Sequence, residues 1–206
     1  MKYFSKMTVT CLDLEGVLIP EIWKGVAELT GIEDLKITTR DISDYSELMN
    51  HRLKICENYK LTIRDVKKVV NEMEPLDGAV EFLCWLRKRS EVIILSDTFR
   101  EFVQPLIKKL QNPTIFCHSL KLDEDLKIVD YCLRQLDQKK KAVEAIKNLN
   151  FLTIAVGDSF NDLSMLLEAD QGILFRPINK LVENYPQLPV AYEFNDLKLI
   201  INRINI

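Results

Sequence analysis

The chain has 206 residues, 47% hydrophobic and 29% charged, an ordinary globular composition for one domain with an insert or for two small domains. Its 28 basic and 31 acidic residues leave a net charge of −3 with no Lys/Arg stripe, and the run Lys139–Lys141 is short, so the electrostatic case for a nucleic-acid partner is absent. The five cysteines (Cys11, Cys56, Cys84, Cys117, Cys132) lack CxxC spacing and are expected as reduced, buried thiols in a cytoplasmic protein. No apolar run approaches the ~18 residues that would suggest a membrane span, and "MKYFSKMTVTC" lacks the apolar stretch of a signal peptide.

The first predicted element is a strand over "MTVTCL", and it delivers Asp13, Leu14, Glu15 and Gly16. Residues two apart on a strand share a side, so Asp13 and Glu15 are expected to aim two like charges at one spot. That costs energy unless a cation or a transferred group lies between them. Residues 20–75 then offer three helical patterns and no strand: "EIWKGVAELTG", ended by Gly31, "YSELMNHRLKICENY", and "TIRDVKKVVNEM", stopped by Pro75. They are expected to form a small helical domain inserted after the first strand.

From there strands and helices alternate. A helix is predicted over "GAVEFLCWLRKR", a strand over "EVIILS", a helix over "REFVQPLIKKL" and a strand over "PTIFC". Residues 119–135, two alternating runs around Asp123-Glu124-Asp125, read as a hairpin packed beside the main sheet. A helix over "KKAVEAIKNL" follows, then strands over "LTIAVG" and "QGILF", a late strand over "VAYEF" and a last helix through "DLKLIINRI". Asp97 and Asp137 stand near helix starts as candidate caps. Short Val/Ile/Leu runs without alternation are the mark of parallel strands buried on both faces. The expected class is α/β, a doubly wound parallel sheet with right-handed crossovers.

Ligands of such sheets bind at the carboxyl ends of the strands. There the first strand delivers Asp13 and Glu15, the second Ser96-Asp97-Thr98, and "TIAV" Gly157-Asp158-Ser159 followed by Asn161 and Asp162. Lys139 stands at a helix start. Three acidic clusters and one lysine thus converge. Carboxylate oxygens with few His or Cys suit a hard cation, and Mg²⁺ characteristically takes one or two carboxylates with phosphate and water. Each motif alone has a plain structural reading as turn, cap or solvated surface. Together and in order they mark a site. His51 and His118 read as structural, and Trp23 and Trp85 as packing residues.

"DLEGV", "SDT", Lys139 and "GDSFND" resemble the four motifs of the haloacid-dehalogenase-like (HAD) phosphatases, and the helical insert resembles their C1-type cap. The resemblance implies a Rossmann-like core over 1–19 and 76–206 with a cap over 20–75. Glu15 with "VLIPEIW", "LSDTF", "LRQ" and "AVGDSFNDLSML" is similar, more narrowly, to the bifunctional phosphoserine phosphatase/homoserine phosphotransferase family, from about Thr10 to Leu197. This implies a Mg²⁺-dependent enzyme with phosphoserine as substrate, homoserine as acceptor, no nucleic-acid or membrane partner, and a homodimer as candidate assembly.

The implied roles follow motif by motif. Asp13 would be the nucleophile, forming an aspartyl-phosphate, and Glu15 the general acid and base. Asp13, the Glu15 carbonyl and Asp158 would hold Mg²⁺. Ser96, the Asp97 amide, Lys139 and Asn161 would hold the phosphoryl group, with Asp162 fixing Lys139 or metal-bound water. Glu21 and Arg52 would take the substrate's ammonium and carboxylate. The chain departs from the usual D-x-D-[ST]-T motif by Glu15 and Gly16, where Gly16 is expected to leave room for the longer Glu15 side chain. Other readings are a phosphatase of another small phosphomonoester, a phospho-acceptor signalling domain and a non-catalytic binding module.

Overall fold

The computed structural model describes residues 6–39, 41, 42 and 44–204. Residues 1–5 and 205–206 at the ends of the expected core, and Arg40 and Ser43 in the expected insert, lie outside the described residues. Seven strands form one sheet in the order β4-β3-β2-β1-β5-β6-β7. β1 (Thr8–Leu12) lies at its centre, paired in parallel with β2 (Glu91–Phe99) on one side and β5 (Leu152–Gly157) on the other. β3 (Thr114–Leu122), β6 (Gln171–Phe175) and the two-residue β7 (Val190–Ala191) extend the parallel sheet, and β4 (Ile128–Cys132) runs antiparallel to β3 at one edge.

The unalternating apolar strands have the expected cause: both faces are covered. Leu12, Ile154 and Val156 join one buried cluster, while Val9, Cys11 and Ala155 join the other. On the first face lie α4 (Ala79–Leu86), α5 (Arg100–Lys109) and α9 (Phe194–Arg203). On the second lie α6 (Gln138–Asn148), α7 (Leu163–Glu168) and α8 (Asn179–Asn184).

Between β1 and α4 stand α1 (Ile22–Thr30), a 3-10 turn (Glu33–Lys36), α2 (Tyr45–Asn58) and α3 (Ile63–Glu72). Gly31 ends α1 in the left-handed region at φ 71°, as glycine does at a helix C-terminus. Thr62 and Asp65 form a reciprocal capping box that starts α3. Ile22, Trp23, Val26, Val66 and Val70 share the large cluster with Phe102, Val103 and Leu106 of α5. Trp23 packs edge-on to Phe102 at 6.4 Å.

Several local expectations are corrected. The hairpin is not beside the sheet: its first arm is β3 itself, running on from "TIFC" to pair with β4. Asp97 caps no helix, and Asp137 holds the N-cap position of α6 without a side-chain cap bond. α5 starts after Phe99 because β2 continues through Asp97, and Asp137 adopts φ 48° with its carboxylate accepting from Ser164 Oγ instead. β7 stops at Ala191, since Glu193 and Asp196 form the capping box that opens α9. Only Cys11 and Cys56 are buried, while Cys84 and Cys117 are half-buried and Cys132 is exposed on the edge strand; all five are free thiols. Among the described residues no helix is long and apolar enough to cross a membrane.

Candidate active site

Three adjacent strands, β2, β1 and β5, end on one spot. This is where the order of connections reverses, the place where open α/β sheets bind ligands. Asp13 follows β1 directly, its amide donating to the Val156 carbonyl of β5 at 2.9 Å. Glu15 reaches the same spot by a turn and not by strand alternation, because β1 stops at Leu12 and Glu15 bridges to Ile19. Its Oε2 accepts the Ile22 amide at the start of α1, at 2.9 Å. Gly16 sits at φ 80°, and Asp158 packs over the place its missing side chain leaves: a Cβ there would stand 2.6 Å from Asp158 Cγ. The Glu15 carboxylate points towards the start of α1.

The spacing in "GDSFND" is explained by Asp162 folding back. Its Oδ2 accepts the amides of Asp158 and Ser159 at 3.0 and 3.1 Å. Its carboxylate lies so close over Gly157 that a Cβ there would meet Oδ2 at 2.7 Å. Its Oδ1 accepts Lys139 Nζ at 2.7 Å. Lys139, 3% exposed at the first turn of α6, also donates to Asp13 Oδ1 at 2.9 Å and lies 3.4 Å from Asp97 Oδ2. Asp162 is therefore in direct contact with the lysine.

The second strand's contribution depends on an irregularity. The β2–β3 register shifts between Leu95 and Phe99, the span that holds Ser96, Asp97 and Thr98. The Asp97 side chain thereby enters the site with its backbone. Asn161 Nδ2 donates to Asp97 Oδ2 at 3.0 Å, and Asn161 Oδ1 accepts Ser159 Oγ.

From the helical insert, Glu21 and Arg52 reach the cleft, as do Tyr45 and Thr39. The Tyr45 hydroxyl donates to the Asp97 carbonyl at 2.8 Å. Arg52 is 7% exposed, lies 5.1 Å over the Trp23 ring and donates through Nη2 to the Ile37 carbonyl at 3.1 Å. Its Nε is buried and has no hydrogen-bond partner among the described residues. One cleft brings together every sequence-predicted site residue: Asp13, Glu15, Glu21, Arg52, Ser96, Asp97, Lys139, Asp158 and Asn161.

Sequence reasoning missed Tyr45, Gln138 and a supporting part for His118. Gln138 adjoins Lys139, but nothing in its neighbours distinguishes it from a helix-surface glutamine. Of the other structural readings, Trp23 packs as expected, and His51 stays at the periphery beside the Asp34 carbonyl.

Charge dominates the site. Burial, then the neighbouring Asp162, pushes the Asp13 carboxyl well above its ordinary range, against the opposing pull of Lys139. Burial and then Glu21 raise Glu15 to about 7, although the Ile22 amide and Arg52 favour its charged form. At Asp97 burial also raises, but Lys139 and hydrogen bonds from His118, Gln138 and Asn161 outweigh it, holding this carboxyl well below the usual range. Asp13, Asp158 and Asp162 bring ligand oxygens within 4.8 Å of one another, all buried. Asp13, Asp97 and Asp162 meet the Lys139 ammonium, and Asp158 lies beside Asp13 and Asp162. An all-oxygen donor set short of positive charge fits a hard divalent cation.

Residues 7–170 match the family model described as haloacid dehalogenase-like hydrolase. The chain belongs to that family. It is 50% identical over 192 residues to the phosphoserine phosphatase ThrH of Pseudomonas aeruginosa, covering 93% of this chain and 94% of that one. It is 52% identical over 190 residues to a phosphoserine phosphatase of Pseudomonas syringae pv. tomato, covering 92% and 80%. Among solved structures, a substrate-bound phosphoserine phosphatase complex superposes with a TM-score of 0.80 at 23% identity, covering 97% and 99%. That likeness shows the haloacid dehalogenase-like fold.

Proposed function

We propose that the chain is a Mg²⁺-dependent phosphoserine phosphatase that works through an aspartyl-phosphate on Asp13 and also transfers the phosphoryl group to homoserine. The observation that carries this reading is the position of Asp13, buried and held through Oδ1 by Lys139, beside Glu15 and beneath Arg52. Two relatives of about half identical sequence are named phosphoserine phosphatases.

A carboxylate oxygen of Asp13 attacks phosphorus while the bond from phosphorus to the serine oxygen breaks. Glu15 gives its proton to that oxygen. A carboxyl raised to about 7 is suited to donate a proton and then to act as base near neutrality. In the second half Glu15 takes a proton from water or an alcohol as its oxygen attacks phosphorus, and the bond from phosphorus to the Asp13 oxygen breaks, freeing the carboxylate. Phosphoryl transfer depends chiefly on positioning and charge neutralisation. Lys139, the Ser96 hydroxyl and the Asp97 amide supply them to the phosphoryl oxygens, with Asn161 beside them. Asp13, the Glu15 carbonyl and Asp158 would hold Mg²⁺, which when bound neutralises phosphoryl charge. Arg52 has a buried Nε with no partner among the described residues, suited to a carboxylate, and Glu21 is suited to an ammonium.

In this reading residues 1–19 and 76–206 are the core, 20–75 the cap, and the enzyme is cytoplasmic. Homoserine is serine with one more methylene, a difference worth only about 1–3 kcal/mol in a pocket. A bound alcohol also gains over water by orientation. The test is phosphoserine turnover with and without homoserine, followed by phosphorus NMR. A phosphohomoserine signal is expected. Inorganic phosphate alone at high homoserine would reduce the enzyme to a hydrolase, and no turnover of phosphoserine would overturn the substrate assignment.

A further inference from the structure

Asp97 does more than contribute backbone. Among the described residues its carboxylate is met only by donors: Gln138 Nε2 at 3.0 Å and His118 Nε2 at 3.3 Å on Oδ1, Asn161 Nδ2 at 3.0 Å and Lys139 Nζ at 3.4 Å on Oδ2. None of these donors can readily reverse. His118 Nδ1 accepts the Arg134 amide at 3.1 Å, which places the ring proton on Nε2, 3.3 Å from both Asp97 Oδ1 and Gln138 Nε2, of which only the carboxylate oxygen can accept it. Gln138 Oε1 accepts Arg134 Nε at 3.0 Å, and its Nε2 also donates to the Ser96 carbonyl at 2.7 Å. Asn161 Oδ1 is committed to Ser159. His118 and Gln138 are each 3% exposed, so this bracket is built into the protein behind the cleft.

We propose that the Asp97 carboxylate, gripped by His118 and Gln138, is a positioning residue that sets Lys139 and Asn161 in place for the phosphoryl group. The inference rests on the phosphatase reading above and deepens it. Lys139 could otherwise settle wholly on Asp13 and Asp162, the two carboxylates it touches more closely. The third carboxylate holds its ammonium on the β2 side, where Ser96 and the Asp97 amide stand. A donor-only surround also makes a side-chain amide a poor substitute for this carboxylate: whichever way it turned, its NH₂ would face donors.

The test compares Asp97→Asn, His118→Gln and His118→Phe with wild type, on phosphoserine and on p-nitrophenyl phosphate. Partners one layer behind a site typically contribute about 10–100-fold to activity. Asp97→Asn is expected to lower kcat by that factor on both substrates, because both carry the phosphoryl group, with KM for phosphoserine within about threefold of wild type. His118→Gln retains a donor for Asp97 and should keep most of the activity. His118→Phe keeps a ring against Tyr45 and Phe99 but has no donor, and should fall with Asp97→Asn. A kcat for Asp97→Asn near wild type would overturn the proposal, as would equal losses in the two His118 variants. Loss confined to phosphoserine would instead assign Asp97 to amino-acid recognition and likewise overturn it. If wild type turns over neither substrate, the phosphatase reading fails and this inference falls with it, whereas an active wild type with the wrong variant pattern overturns this inference alone.

Discussion

Replacing Gly16 by alanine perturbs the site through one methyl group. Two separate costs follow from the structure. The backbone stands at φ 80°, where an L-residue with a Cβ pays about 1–2 kcal/mol relative to glycine. For a chain of this length that lowers Tm by roughly 2–8 °C. The new Cβ would also stand 2.6 Å from Asp158 Cγ, against an ordinary carbon–carbon contact of ~3.5–4.0 Å, so the carboxylate must withdraw by about 1 Å. Asp158 is buried and its amide is tied to Asp162, which limits how the strain can be relieved. A 1 Å misplacement is enough to cost about 10²-fold in rate, and Mg²⁺ tolerates little departure from octahedral geometry. Differential scanning calorimetry without metal reads the backbone strain, and titration calorimetry with Mg²⁺ reads the displaced carboxylate. The expected results are a lower Tm and weaker Mg²⁺ binding. Wild-type Tm together with wild-type Mg²⁺ affinity would refute the argument that Gly16 exists to admit Asp158.

Three other outcomes follow from the site. Asp13→Asn is expected to abolish turnover while leaving the fold, and Glu15→Gln to let phosphoenzyme accumulate; mass spectrometry after labelled phosphoserine should find the phosphoryl group on Asp13 and nowhere else. Activity should vanish in excess EDTA and return with Mg²⁺, and turnover that survives the chelator would exclude the metal role. Arg52→Ala should lower kcat/KM for phosphoserine by about 2–5 kcal/mol, the usual effect of breaking a buried charged pair. It should barely change p-nitrophenyl phosphate, which has no carboxylate to pair, and equal losses on both would move Arg52 to a structural part.

The sheet was legible in the chain because its strands are buried on both faces. "VTCL", "VIIL" and "TIAV" are continuous apolar runs that could only be interior, and helical patterns between them dictated parallel pairing. Asp13, Ser96 and Asp158 were legible for the same reason, since each follows such a run directly. The helices of residues 20–75 were equally local in origin, set by apolar spacing, Gly31 and the Thr62 cap.

Contacts between distant segments were decided only by the fold. Lys139 meets Asp13 across 126 residues and Tyr45 meets Asp97 across 52, and no local periodicity records such pairs. The Asp97 carboxylate reaches the site by way of a register shift between β2 and β3, where a composition-based reading saw a helix cap. That Asp158, from the end of β5, packs over Gly16 is likewise invisible in the local sequence. Short-range hydrophobic order thus sets which strand ends meet. The packing of the whole chain sets which carboxylate faces which donor.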